Sequence, residues 1–323
     1  MKRYRRRKKA YRALLAAAVY LLLAAGAATA FWQADSLKRA DSPPPIAAAM
    51  APVSPAAGAG RENGGLPLIS QNAILFDPED GRVLFGKNAR DRAYPASLTK
   101  LMTALVAVER IADFDAPVAL VRADYAGLYE QNAAMAGFVE GETVTARDLL
   151  YATLLPSGAE AACALARVAA GSKEDCVALM NARAEALGMA DSHFMNVTGL
   201  HDDAHYTTVY DLSLLLTAAL KNDLFTEVFS TFGYTTTATA QHPQGLTLTS
   251  TLTPRVRQLG RDAAPITGAK TGYTEEAQLC LASVGAQNGL RRAVITIGAE
   301  GDGYSEPTHL EDAYLLYQKS LPG

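Results

Sequence analysis

Runs and alternations of apolar residues divide the chain into elements before any chemistry is considered. Ala73-Ile74-Leu75-Phe76 and Val83-Leu84-Phe85 are short apolar runs on either side of Asp77-Pro78-Glu79-Asp80-Gly81, a turn-forming stretch, and predict a β-hairpin. From Ser97 onward the pattern is continuous. Leu101, Met102, Ala104, Leu105, Val106 and Val108 are apolar almost all round, as in a helix buried on every side, and Pro95 marks its start. Residues 141–150 open another helix with Thr145 as N-cap. Residues 159–170 form an alanine-rich helix, and residues 173–187 an amphipathic one that stops at Gly188. Residues 208–221 predict a further helix. Beyond residue 264 the pattern changes to three strands, at 266–271, 278–284 and 293–298, and then a last helix over 307–321. A hairpin, a central helical block and C-terminal strands together predict one mixed sheet with helices around it, an α+β domain over residues 68–321.

The N-terminal pattern is different. Residues 1–12 are basic and residues 13–31 are uncharged and apolar almost throughout, with Leu14, Leu15, Val19, Leu21, Leu22 and Leu23 at the centre. That order marks a signal peptide or a membrane anchor. The run is long for a signal peptide and close to the ~20 residues that span a bilayer, which favours an anchor. Ala28-Thr29-Ala30 nevertheless offers a small-residue cleavage site. In either case the positive-inside rule places the rest of the chain outside the cytoplasm. Residues 32–67, rich in Pro, Ala and Gly, read as a linker.

Composition changes this picture in two places. The net charge of −3 hides an asymmetry, because eight of the 30 basic residues lie in the first twelve and leave 22 basic against 33 acidic, or −11, for the rest. An acidic body carries no footprint for nucleic acid, which is excluded as a partner. The three cysteines, Cys163, Cys176 and Cys280, leave at least one thiol unpaired outside the cell. Cys163 and Cys176 fall in helix-like surroundings, where buried free thiols fit better than a disulfide. No Cys/His cluster has zinc spacing.

The candidate chemistry lies at the mouth of the buried helix. Ser97 and Lys100 are three apart and share a helical face. A serine hydroxyl becomes a nucleophile when a nearby base takes its proton, and a lysine serves as that base once burial and neighbouring positive charge lower its pKa. Two further short motifs accompany the pair. Pro156-Ser157-Gly158 sits in a loop leading into the alanine-rich helix, and Lys270-Thr271-Gly272 sits at a strand end, followed by Tyr273 and Thr274.

In that order the three motifs resemble the set of penicillin-binding proteins and class A β-lactamases. The segments 94–100, 194–202 and 205–208 extend the likeness, and residues 70–320 as a whole resemble the serine-type D-alanyl-D-alanine carboxypeptidases, the low-molecular-mass penicillin-binding proteins. The resemblance implies a β-lactamase/transpeptidase-like fold, an antiparallel sheet flanked by helices with a helical subdomain. It implies removal of the terminal D-alanine from the peptidoglycan pentapeptide, covalent inhibition by β-lactam antibiotics, and neither metal nor organic cofactor. Ser97 is then the nucleophile, Lys100 its base and Ser157 the proton relay. Lys270, Thr271, Gly272 and Tyr273 bind substrate, Lys270 and Thr271 holding the terminal carboxylate and Lys270 keeping Lys100 neutral by charge repulsion. The backbone N–H groups of Ser97 and Tyr273 supply the oxyanion site.

Two departures stand out. The family's second motif is Ser-x-Asn, and here Ala159 and then Glu160 follow Ser157-Gly158, so one contact to the substrate's amide backbone is missing. The chain ends at Gly323 without the C-terminal β-rich domain and amphipathic helix of many relatives, which leaves membrane attachment to the N-terminal segment. Three rival readings remain. A β-lactamase needs a glutamate that positions the deacylating water, and no motif assigns this to Glu140, Glu142 or Glu160. A weakly active cell-wall-binding homologue would explain Ala159. A metallopeptidase is suggested by His201 and His205, but Gly199, Asp202 and Asp203 read as loop.

Overall fold

The computed structural model describes residues 61–62, 65–287 and 289–319. The basic segment 1–12, the apolar run 13–31 and most of the linker lie outside the described residues. Within the span read as linker, Arg61–Glu62 form a short strand, β1. The sheet thus begins before residue 68, because strand β3 (Val83–Lys87) offers a backbone edge with which β1 pairs in parallel.

The predicted hairpin is β2 (Asn72–Phe76) against β3, antiparallel. The C-terminal strands are β8 (Ile266–Thr274), β9 (Gln278–Gln287) and β10 (Leu290–Ala299). They run longer than their apolar cores, because ladder pairing continues through polar ends. All six strands form one sheet in the order β1-β3-β2-β10-β9-β8, antiparallel except at β1. Successive strand residues point to opposite faces, and here both faces are covered. Ile74, Phe76, Ala282, Val284, Ala293, Ile295 and Ile297 belong to one core, and Ala73, Leu75, Leu281 and Val294 to the other.

The helical block covers the first face. It comprises α1 (Thr99–Arg110), preceded by a 3-10 turn at Ala96–Leu98, α2 (Ala146–Leu154), α3 (Ala159–Ala170), α4 (Lys173–Leu187), α5 (Val209–Ala219) and α6 (Asp223–Phe229). Every residue of α1 from Thr99 to Ala107 is buried, in line with its all-round apolar pattern. Thr145 caps α2 through a reciprocal pair with Asp148. Gly188 ends α4 in the left-handed conformation, at φ 78°. Cys176, Met180, Ala184 and Leu187 form the buried stripe of α4.

The second face is covered by α8 (Thr308–Lys319) and by α7 (Leu252–Gln258), which the apolar pattern does not reveal. Four short strands also escaped the sequence pattern: β4 (Pro117–Ala119) with β5 (Thr143–Thr145), and β6 (Gly233–Thr235) with β7 (Thr247–Thr249). Pairs of three-residue strands are too short to show a period. Cys163, Cys176 and Cys280 are all buried free thiols. For the site, the decisive feature is β8, which lies at the sheet's edge and packs against the 3-10 turn that carries Ser97.

Candidate active site

Ser97 sits in a turn held in an unusual backbone. Its predecessor Ala96 has φ 46°, and across the cleft Ser157 has φ 68°. Non-glycine residues in that region cost of order 1–3 kcal/mol and persist only where surrounding contacts enforce them. The enforcing contacts are visible. Gly199 lies so close beneath Ala96 that a Cβ there would stand 1.8 Å from the Ala96 carbonyl oxygen, and a Cβ on Gly272 would meet the Ser97 backbone nitrogen at 3.1 Å. The nucleophile's turn is thus clamped between segment 196–200 and strand β8.

The polar groups converge as the motifs imply. Lys100 Nζ lies 3.0 Å from Ser97 Oγ and donates to the Thr198 carbonyl at 2.7 Å. The Ser157 hydroxyl donates to Ser97 Oγ at 2.9 Å. Lys100 is only 2% exposed, and burial lowers its pKa from 10.5 to about 8 against the opposing pull of Cys163 and Glu160. Lys270 is also buried, and its pKa falls well below the ordinary value, first through burial and then through repulsion by Lys100. Burial is thus the largest influence on Lys100, and the two buried amines also repel each other.

A cavity of about 590 Å³ opens in front of these groups, lined among others by Ser97, Lys100, Ser157, Thr271, Gly272 and Tyr273. Lys270 stands behind its wall and donates to the Thr271 carbonyl at 2.7 Å. Besides Lys100, the cavity is lined by the guanidinium-bearing Arg255, on α7. Its guanidinium donates to the carbonyls of Ser305 and Asp302, each at 3.2 Å, and to Gln258. No carboxylate of the described residues lies within ion-pair distance of it. One helical turn before it, Thr251 Oγ1 lies 2.6 Å from Thr271 Oγ1. His309, whose Nδ1 has no partner among the described residues, lines the same end.

Sequence reasoning missed Arg255 and Thr251. Their i, i+4 spacing puts both on one helical face, but nothing in the chain joins that face to residue 271. Glu140, Glu142 and Glu160 do not line the cavity. Glu142 is engaged by Val139, Thr239 and His242. Glu160 Oε1 accepts from the backbone of Ala136 and Gly137, and its burial raises its pKa.

The two histidines that suggested a metal site serve other ends. His205 Nδ1 accepts from the Met195 N–H at 3.3 Å, which puts the ring proton on Nε2, 2.8 Å from Thr99 Oγ1. Burial lowers its pKa to about 4, so it is neutral and ties the 194–200 segment to α1. His201 packs edge-on against Tyr94.

A family model described as D-alanyl-D-alanine carboxypeptidase matches residues 62–301. The D-alanyl-D-alanine carboxypeptidase DacF of Bacillus subtilis is 30% identical over 244 residues, 74% of this chain and 60% of that protein. The chain thus spans about 60% of the length of this relative. A D-alanyl-D-alanine endopeptidase of Pseudomonas aeruginosa is 31% identical over 262 residues, 78% of each chain. Among solved structures, a DD-transpeptidase of Streptomyces superposes with a TM-score of 0.68 at 28% identity, over 78% of this chain and 97% of that one.

Proposed function

The chain belongs to the D-alanyl-D-alanine carboxypeptidase family, and on that premise we propose that it removes the terminal D-alanine of peptidoglycan stem peptides through an acyl-enzyme on Ser97. One observation carries the reading: a buried lysine and a second serine both lie within 3.0 Å of Ser97 Oγ. Lys100, as the neutral amine, takes the Ser97 proton while Oγ bonds to the carbonyl carbon of the penultimate D-alanine. The oxyanion is received by the Ser97 and Tyr273 N–H groups, at ~3 kcal/mol per donor by analogy with other such sites. Collapse breaks the C–N bond. The proton passes from Lys100 through the Ser157 hydroxyl to the departing D-alanine amine. Water, deprotonated by Lys100 in its turn, then releases the acyl group.

The substrate's carboxylate is held by Thr271, Thr251 and the Arg255 guanidinium. Lys270 supports this wall from behind, and Gly272 keeps it close to the nucleophile. The domain works outside the cytoplasm, tethered through residues 13–31, and β-lactam antibiotics acylate the same serine. The proposal is tested by incubating the full chain with benzylpenicillin and mapping its peptides by mass. A stable adduct is expected on Ser97 and none in Ser97→Ala, whereas turnover of the adduct within seconds would favour a β-lactamase.

A second reading, endopeptidase action, is favoured by the Pseudomonas relative's match over 78% of both chains. It uses the same acyl-enzyme and differs only in the amine that leaves. Release of free D-alanine from a pentapeptide, against cleavage of a cross-linked dimer, separates the two.

A further inference from the structure

The cleft has two walls. One is strand β8, whose outer edge faces no other strand among the described residues and runs past Ser97 as Gly272-Tyr273-Thr274. An acyl-peptide substrate laid along such an edge pairs its backbone with β8 on one side. Its amide preceding the scissile residue then turns its other side to the opposite wall, where it needs a partner once water is displaced. That wall is the start of α3 and residues 131–134 of the loop that precedes Gly137. Ala159 lines it with a methyl group that can make no hydrogen bond.

The loop is fastened directly onto Ala159. The Ala159 N–H donates to the Ala134 carbonyl at 2.8 Å, and the Glu160 carboxylate accepts from Ala136 and Gly137 at 2.7 and 2.9 Å. Gly158 allows the loop this close, since a Cβ there would stand 2.6 Å from that of Ala136. Upstream, the Asn132 N–H donates to the Tyr129 carbonyl, and φ at Asn132 is 50°, a conformation asparagine tolerates better than most residues. Asn132 lines the cavity. Its carboxamide has no partner among the described residues, whereas the Gln131 amide is spent on the Gly127 carbonyl.

Resting on the carboxypeptidase reading, we infer that Asn132 supplies the substrate contact that Ala159 cannot. Its carboxamide oxygen accepts from the substrate's amide N–H, or its amide donates to the substrate's acyl carbonyl. The ligand class is therefore an N-acylated D-Ala-D-Ala peptide, or a β-lactam with an acylamino side chain.

The test compares benzylpenicillin with 6-aminopenicillanic acid, which keeps the ring and carboxylate but lacks the side-chain amide. Rates of Ser97 acylation are measured on the full chain for the parent, Asn132→Gly, Asn132→Asp and the double variant Asn132→Gly/Ala159→Asn, with melting curves alongside. Glycine keeps the left-handed backbone. Acylation by benzylpenicillin is expected to fall about tenfold or more in Asn132→Gly, the scale of one lost hydrogen bond in a desolvated site. The rate with 6-aminopenicillanic acid should change less than about twofold by the same reasoning. On N-acyl-D-Ala-D-Ala the loss should lie mainly in KM, and the double variant should recover most of it. Equal falls for both β-lactams, or no fall for either, overturn the assignment. Failure of the parent chain to be acylated at all would instead overturn the carboxypeptidase reading and this inference with it.

Discussion

Lys100→Met removes the amine at the centre of the site while nearly keeping the side chain's length and volume. In the parent, burial moves the Lys100 pKa from 10.5 to about 8. At ~1.4 kcal/mol per pH unit, this makes the charged amine cost the fold about 3 kcal/mol. The sign follows from proton uptake. Between about pH 8 and 10.5 the unfolded chain binds more protons at this group than the folded one, so stability rises with pH across that window and carries the full penalty below it. Methionine escapes the penalty but leaves the buried Thr198 carbonyl without its donor, a loss of ~1–3 kcal/mol. The variant should therefore be as stable as the parent at pH 7, or up to about 2 kcal/mol more so, with any gain fading towards pH 10.5. Urea unfolding at pH 7 and pH 10 measures this. The same pKa governs chemistry, because only the neutral amine can take the Ser97 proton. Single-turnover acylation by a fluorescent penicillin should rise nearly tenfold per pH unit from pH 6 and level off above about pH 8. It should be abolished in Lys100→Met at every pH. A flat profile from pH 6 to 9, or a folded Lys100→Met that acylates normally, would refute Lys100 as the base.

Three further outcomes are expected. Gly199→Ala, with φ at 81° and a new Cβ 1.8 Å from the Ala96 carbonyl oxygen, should destabilise by about 3–5 kcal/mol from left-handed strain plus overpacking; thermal melting and the acylation rate should fall together. Arg255→Leu should lower kcat/KM by about a hundredfold on a peptide with a free terminal carboxylate, chiefly through KM. It should change little on the same peptide amidated at that end, and equal effects on both would remove Arg255 from carboxylate recognition. At Asp148, burial pushes the carboxyl pKa up, but hydrogen bonds from Thr237, Thr145 and Tyr234 outweigh it and hold the pKa below 3.8. Its contribution is therefore present above pH 3.8 and lost as pH falls through the lowered folded value. Asp148→Asn should cost about 2–4 kcal/mol in urea unfolding at pH 7, and the difference from the parent should shrink in strong acid.

Much of this was legible in the chain. The all-round apolar stretch from Leu101, the capping box at Thr145 and the glycine stop at 188 are local devices, and each appears where the sequence puts it. Ser97 and Lys100 meet because helical geometry alone brings residues three apart together. Other features have no local signature. Arg61–Glu62 pair because β3 offers an edge, and β4 to β7 are held by partners 12 to 28 residues away in sequence rather than by a period of their own. Arg255 reaches the cavity only because α7 packs beside β8, and Asn132 only because Glu160 draws its loop onto α3. The state of Lys100 likewise could not be read from its neighbours in the chain, since desolvation depends on how completely the rest of the fold closes over it. The sequence alone determined which groups could react, through short-range geometry. The tertiary structure decided which proton each holds and what faces the substrate, because burial and contacts between distant segments exist only once the chain has closed on itself.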